Sequence, residues 1–371
     1  MNEATTLDGA AGAAIPETAE PRRSLYPFEF RGNGGEYFRI WIVNLLLTIV
    51  TLGIYSAWAK VRRLRYFYGN TLLDGHSFEY HGRPLAILKG RLIVVGLYLG
   101  FVALGQVAPL VVLAFVPLIF FGLPWIVMRS RLFQLRMSSY RNLRFNFEGT
   151  YGGAMGAFVG WYLLAILTAG ILYPAWVRKR VQYTLDNSVY GTQPFSFNTG
   201  NGVYFKFCYI TAGLSLAAYS VFIFLMVSAP GLKDLFGRGI PPSGLEMLVA
   251  VGFTGVLLAL VAGVAAFSIA AYYQASFINA SFGGVQIGSN YIISELKVAP
   301  LMWIYVTNLL GIVFTLGLFY PWAKVRQTRY QLENMQIDSD GKLGAFTAGG
   351  ASATSAVGEE AGDFFDVDFG L

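Results

Sequence analysis

One design occurs three times along this chain, and its register constrains the fold more than any other feature. At 36–70 an apolar run halts at Thr51-Leu52-Gly53, resumes, and ends in Tyr55-x-x-Trp58, a basic stretch and Asn70. The design returns at 153–187 and again at 300–334. In every copy the mid-run glycine precedes the closing asparagine by 17 residues: Gly53 to Asn70, Gly170 to Asn187, Gly317 to Asn334. The second copy carries an extra residue before Trp176 and one fewer after it.

Between the copies lie four longer apolar runs, at about 86–105, 108–128, 206–229 and 247–272. Each has the length a helix needs to cross a hydrocarbon core. Hydrophobic residues make up 55% of the chain and charged residues 13%, about half the charged share of an average soluble domain. The composition therefore predicts an all-α polytopic membrane protein. A transmembrane β-barrel is set aside, because its strands would alternate and these runs are continuous. Residues 1–24 show no basic stretch followed by an apolar one, so no signal peptide is expected there. The single cysteine, Cys208, excludes a disulfide framework or a cysteine metal cluster.

The expected organisation is a disordered tail at 1–24, a membrane repeat at 25–150, a second at 151–297, a truncated third at 298–339, and a disordered acidic tail at 340–371. Short aromatic alternations at 28–30, 78–82, 144–147 and 195–197 read as strand-like pieces at the cytoplasmic surface, able to pair into a small sheet.

Charge decides how the three copies meet the membrane. If each crossed once, Lys60, Arg62, Arg63 and Arg65 would lie opposite Arg22, Arg23, Arg31 and Arg39, against the positive-inside bias. If each bends at its glycine and returns, all of the 27 basic residues except Lys233 and Arg238 fall on one side. The expectation is four spanning helices and three Gly-bent hairpins, re-entrant or interfacial, with both termini cytoplasmic. Gly53, Gly170 and Gly317 are the hinges. About 20 apolar residues also suffice for a full span, so the spanning alternative stays open.

The signature Gly34-Gly35-Glu36-Tyr37-Phe38, then Leu52-Gly53-Ile54-Tyr55, Trp58-Ala59-Lys60-Val61-Arg62, Tyr66, Asn70 and Phe78-Glu79-Tyr80-His81-Gly82 resembles the YjgN family of bacterial inner-membrane proteins. The resemblance covers about residues 25–335. It implies an inner-membrane location and carries over no catalytic residue.

Candidate site residues follow from residue type and placement. Lys60, Arg62, Arg63 and Arg65, with Arg178, Lys179, Arg180, Lys324, Arg326 and Arg329, lie where apolar runs end; they either orient the chain or hold anionic lipid or phosphate. Tyr55, Trp58, Trp176, Tyr320 and Trp322 sit at the same level as an interfacial aromatic belt or as substrate-lining groups. Asn44 and Asn308, each 14 residues before its tryptophan, suit hydrogen bonding between helices or the lining of a polar path. The histidines, His76 and His81, lack converging ligands, so no metal site is expected. No cofactor, enzymatic activity or nucleic-acid partner is expected either. The reading is a transporter- or channel-like module binding or passing a small or lipidic substrate. The alternative is a scaffold that holds anionic lipids through its basic face and a protein partner through its acidic tail.

Overall fold

The computed structural model describes residues 23–107, 111–228 and 244–339. Ten short strands close into an antiparallel barrel, and a pair of helices leaves and rejoins its rim five times. Unit 1 comprises β1 (Ser24–Phe30), α1 (Gly34–Val50), α2 (Ser56–Gly69) and β2 (Thr71–Leu73). Unit 2 comprises β3 (His76–Tyr80), α3 (Pro84–Val107), α4 (Val111–Arg136) and β4 (Ser138–Tyr140). Unit 3 comprises β5 (Leu143–Phe147), α5 (Tyr151–Leu167, with a π-helical turn at Met155–Gly160), α6 (Tyr173–Asp186) and β6 (Ser188–Tyr190). Unit 4 comprises β7 (Gln193–Phe197), α7 (Asn201–Ser228), α8 (Gly244–Phe282) and β8 (Val285–Ile287). Unit 5 comprises β9 (Asn290–Ser294), α9 (Val298–Phe314), α10 (Tyr320–Glu333) and β10 (Met335–Ser339).

The two strands of each unit pair with each other, and two-residue turns join one unit to the next. Asp74-Gly75 and Arg141-Asn142 are left-handed at both positions, as in type I′ turns; Gly191 and Gly288 are left-handed at the first position alone, as in type II′. The fifth junction has no turn. There β1 pairs with β10, Ser24 opposite Ser339, and the ring closes.

One backbone hydrogen bond repeats in all five units where the helices depart. The residue after the first strand donates to the residue before the second: Arg31 to Asn70 (2.9 Å), His81 to Met137 (2.7 Å), Glu148 to Asn187 (2.8 Å), Asn198 to Gly284 (2.8 Å) and Glu295 to Asn334 (3.0 Å). The helices form a second ring. The returning helix of each unit packs on the departing helix of the next: α2 on α3, α4 on α5, α6 on α7, α8 on α9 and α10 on α1.

The repeated Phe-x-Phe/Tyr-x-Gly has a steric cause. At Gly32, Gly82 and Gly149 an added Cβ would lie 2.4–2.5 Å from the ring of Phe30, Tyr80 or Phe147. Each ring lies flat over its glycine, buried against the departing helices. Unit 4 inverts the arrangement: Thr199 stands where the glycine would, and Gly284, just before the facing strand, gives it room.

The fold is therefore not all-α, and the expected helical membrane protein with only peripheral strand-like pieces is corrected. The pieces at 28–30, 78–82, 144–147 and 195–197 contribute to β1, β3, β5 and β7, which never pair with one another; each pairs instead with the short strands beside it. Apart from β10, those partners, such as Thr71-Leu72-Leu73 and Ser138-Ser139-Tyr140, have three residues each, too few to show a period of two. With strands of three to seven residues, the barrel is also shorter than the nine to eleven per strand that a membrane-spanning one needs. The acidic stretch at 340–371, with the partner expected for it, and most of the tail at 1–24 lie outside the described residues.

Candidate functional site

In units 1, 3 and 5 the helix pair is a short hairpin with the same construction. A departing helix (17 residues in α1 and α9) leads into a turn at 51–55, 168–172 or 315–319, followed by a returning helix of 14 residues. The amides of Gly53, Gly170 and Gly317 each donate to a carbonyl five residues back (2.7–2.8 Å). Leu52, Ala169 and Leu316 just before them are left-handed, completing a Schellman-type end. Thr51, Thr168 and Thr315 accept from the amides of Tyr55, Leu172 and Phe319 at 2.9–3.1 Å. The bend therefore satisfies its own backbone. Its tips are apolar and bare, Leu52 being 94% and Leu316 95% exposed.

The candidate asparagines link the two arms of their hairpins. Arg62 donates to Asn44 Oδ1 (3.4 Å) and to the Tyr55 hydroxyl (2.9 Å), and Arg326 donates to Asn308 Oδ1 (3.0 Å) and Thr307 Oγ1 (3.2 Å). At the same register unit 3 has Trp161 and Lys179, and the Lys179 ammonium sits 5.7 Å from the Trp161 ring centroid, a cation–π contact in place of the amide. Trp176 lies one residue further along its helix than Trp58 and Trp322 along theirs, a rotation of about 100°. It is stacked beneath Arg180 at 4.0 Å and donates to the Phe158 carbonyl. Trp322 instead packs on Phe38 and directly over Gly34, joining unit 5 to unit 1.

Several basic candidates clasp neighbouring units. Arg65 donates to the Gly82 carbonyl (3.3 Å), Arg178 to that of Thr199 (2.8 Å) and Arg329 to that of Gly32 (2.8 Å). Each target lies two residues past a strand of the next unit. The basic stretches of units 1 and 5 adjoin through α1 and α10, while that of unit 3 stands between units 2 and 4. Lys324 lies one turn into α10 on the same belt.

Two of the predicted cations converge with one that sequence reasoning missed. Lys60 and Arg63 on α2, with Arg91 on α3, line a cleft of about 270 Å³ whose other walls include Asn44, Trp41 and Tyr320. Among the described residues, no carboxylate lines it. Arg91 also hydrogen-bonds Ser56 at the start of α2, which fixes the cleft across the junction of units 1 and 2. Tyr320 comes from unit 5 and stacks near Trp41 at 6.0 Å. Arg91 was passed over because it lies inside a long apolar run and repeats in no other unit.

A second cavity lies on the ring's axis, inside the barrel. Besides Asn290, one side chain from each strand lines the barrel interior, as five facing pairs: Phe28 with Leu73, Phe78 with Tyr140, Phe145 with Tyr190, Phe195 with Ile287, and Ile292 with Ile337. Tyr190 donates to the Tyr140 carbonyl (2.9 Å) and Tyr140 to the Leu73 carbonyl (2.7 Å). Burial, reinforced by Tyr140, pushes the Tyr190 phenol up to about 12.

Charge is absent from long stretches of the helices. Stretches 40–59, 92–128, 149–177, 207–232, 247–294 and 298–323 contain no Asp, Glu, Lys or Arg. Apart from 247–294, which also holds β8 and β9, the described parts of these stretches hold the helix ends remote from the barrel, with basic residues between them and the strands. Among the described residues, three helical segments are long and apolar enough to cross a membrane: Pro84–Gln106, Asn201–Ser228 and Leu258–Phe282.

A family model for bacterial proteins of unknown function (DUF898) matches residues 25–364. The chain belongs to this family. It is 23% identical over 351 residues to the inner membrane protein YjgN of Salmonella typhimurium, covering 84% of this chain and 88% of that one. It is 33% identical over 134 residues to YjgN of Escherichia coli K12, covering 34% of this chain and 32% of the relative. No solved structure matches. The YjgN resemblance read from the signature at 34–82 is thus established, and the chain is an inner-membrane protein.

Proposed function

We propose that this protein is a multi-pass inner-membrane module that binds anionic lipid headgroups at the Lys60–Arg63–Arg91 cleft and passes a lipidic substrate along its helix ring. The observation that carries this reading is the cleft itself: three cations and three aromatic side chains at the base of bare apolar helices. Basic pockets between membrane helices suit phosphate headgroups, each basic side chain near the surface contributing about 1 kcal/mol. Trp41 and Tyr320 suit the same boundary.

In this reading the barrel and basic belt face the cytoplasm and units 2 and 4 cross the bilayer. From Leu92 to Val107, α3 extends ~24 Å beyond the belt, and α7 extends ~33 Å beyond Lys206. The hairpins of units 1, 3 and 5 re-enter: from Ile40 to Val50 α1 reaches only ~16 Å, about half a hydrocarbon core. Their self-satisfied bends suit such a position.

The test is retention of phosphatidylglycerol over phosphatidylcholine by the purified protein, read by native mass spectrometry. The variant Lys60→Gln/Arg63→Gln/Arg91→Gln is expected to lose most of that preference, about 3 kcal/mol or 10²-fold. Undiminished retention by the folded variant overturns the reading. Movement of labelled phosphatidylglycerol between leaflets of proteoliposomes separates transport from scaffolding, since a scaffold retains the lipid without moving it.

A further inference from the structure

The barrel interior holds a cavity of about 180 Å³ walled by aromatic and aliphatic side chains. One polar side chain breaks that lining. Asn290, at the start of β9 and two residues before the inward-facing Ile292, is 3% exposed. The equivalent positions in the other units are Tyr26, His76, Leu143 and Gln193, none of which is fully buried. The Asn290 Nδ2 donates to the Ile287 carbonyl at 3.3 Å, which sets the amide's orientation. Its Oδ1 is buried and has no hydrogen-bond partner among the described residues.

A buried acceptor without a donor is destabilising by an amount comparable to a lost hydrogen bond, so one that persists in a closed fold calls for a partner. Water is a poor candidate. A buried water needs two to four polar partners; besides Asn290 the lining is aromatic and aliphatic, and its two hydroxyls, of Tyr140 and Tyr190, have already given their protons to backbone carbonyls. A dry apolar cavity of about 150 Å³ accepts a benzene ring, and this one is slightly larger. Its aromatic walls provide edge-to-face surfaces around such a ring.

We propose that the barrel lumen is a binding site for a neutral one-ring aromatic carrying a single hydroxyl donor, a phenol, with Asn290 Oδ1 accepting from that hydroxyl. The site is separate from the basic cleft and independent of any lipid bound there. Ring size sets the fit, and the hydroxyl sets the selectivity.

The experiment uses the full chain in lipid nanodiscs and fluorine NMR of 4-fluorophenol and 4-fluorotoluene, with Ile337→Trp as the filled-lumen background. In the natural protein 4-fluorophenol is expected to bind at least about tenfold more tightly than 4-fluorotoluene. In Asn290→Leu the two should bind within about twofold of each other, and Ile337→Trp should remove the saturable signal of both. Equal affinities in the natural protein, no saturable binding, or a signal that survives Ile337→Trp overturns the proposal. The comparison of the two ligands on the natural chain decides the matter even if Asn290→Leu does not fold.

Discussion

Units 1, 3 and 5 differ from units 2 and 4 in length and in little else. Both kinds leave the barrel after an odd strand, return before an even one, and close with the same backbone hydrogen bond. The short units put a Schellman-type bend and a bridging threonine at their tips. The long ones carry 24 to 39 residues per helix. The lesson is that the conserved part of the module is its base. The barrel strands, the glycine under the aromatic ring and the exit hydrogen bond fix the rim, and the helices above it are free to differ in length.

The largest expected difference between the classes is topological. With Cys208 replaced by serine, a cysteine at Ser228, the end of α7, should react with an impermeant thiol reagent from the periplasm, and one at Leu52 should not. Labelling of both from that side would break the distinction and make the hairpins full spans. Next comes the shared base. Gly149→Ala, in a short unit, and Gly284→Ala, in a long one, should each cost about 2–3 kcal/mol, because the new methyl meets packed atoms. Gly200→Ala, where a Cβ meets nothing within 4 Å, should stay within about 0.5 kcal/mol. Thermal unfolding in one detergent measures all three.

Within the short class, units 1 and 5 use an asparagine–arginine bond where unit 3 uses a cation–π contact. Asn308→Ala leaves the Arg326 guanidinium with Thr307 in place of two partners and should cost about 1–2 kcal/mol. Lys179→Met gives up a contact worth about 0.5–1 kcal/mol. Equal losses would mean the two pairings are interchangeable. The smallest effect lies in the barrel, which both classes share. Burial raises the Tyr190 phenol from its ordinary value near 10 to about 12. The neutral phenol is thus favoured in the folded state; its contribution is complete below about pH 10 and is lost as pH rises toward 12. The melting temperature should therefore fall more steeply above pH 10 for the natural chain than for Tyr190→Phe.

Much of this was legible in residues. The Gly-to-Asn register marked three hairpins because every part of it has a job: Gly53 follows a left-handed residue, and the Asn70 side chain donates to the Tyr66 carbonyl at 2.8 Å while its own carbonyl receives the Arg31 amide. The Phe-x-Phe pieces were legible as strands for the same reason. What escaped was that units 2 and 4 are the same module. Helices of different length destroy any fixed period, and their closing residues, Met137 and Gly284, replace the asparagine. The cleft was half legible: Lys60 and Arg63 lie in an obvious basic run, whereas Arg91 and Tyr320 reach them only through the ring.

The sequence by itself determined the membrane setting, the hairpins with their bends, and the level at which charge stops, since all three follow from local composition and from bonds within a few residues. Tertiary structure alone decided the barrel. A three-residue strand has no stability without its neighbours, and Ser24 meets Ser339 only when all five units have closed. The stretch around Gly53 remains a hairpin, now one of five arms on a ring, and the side chains enclosed at the centre of that ring come from every one of them.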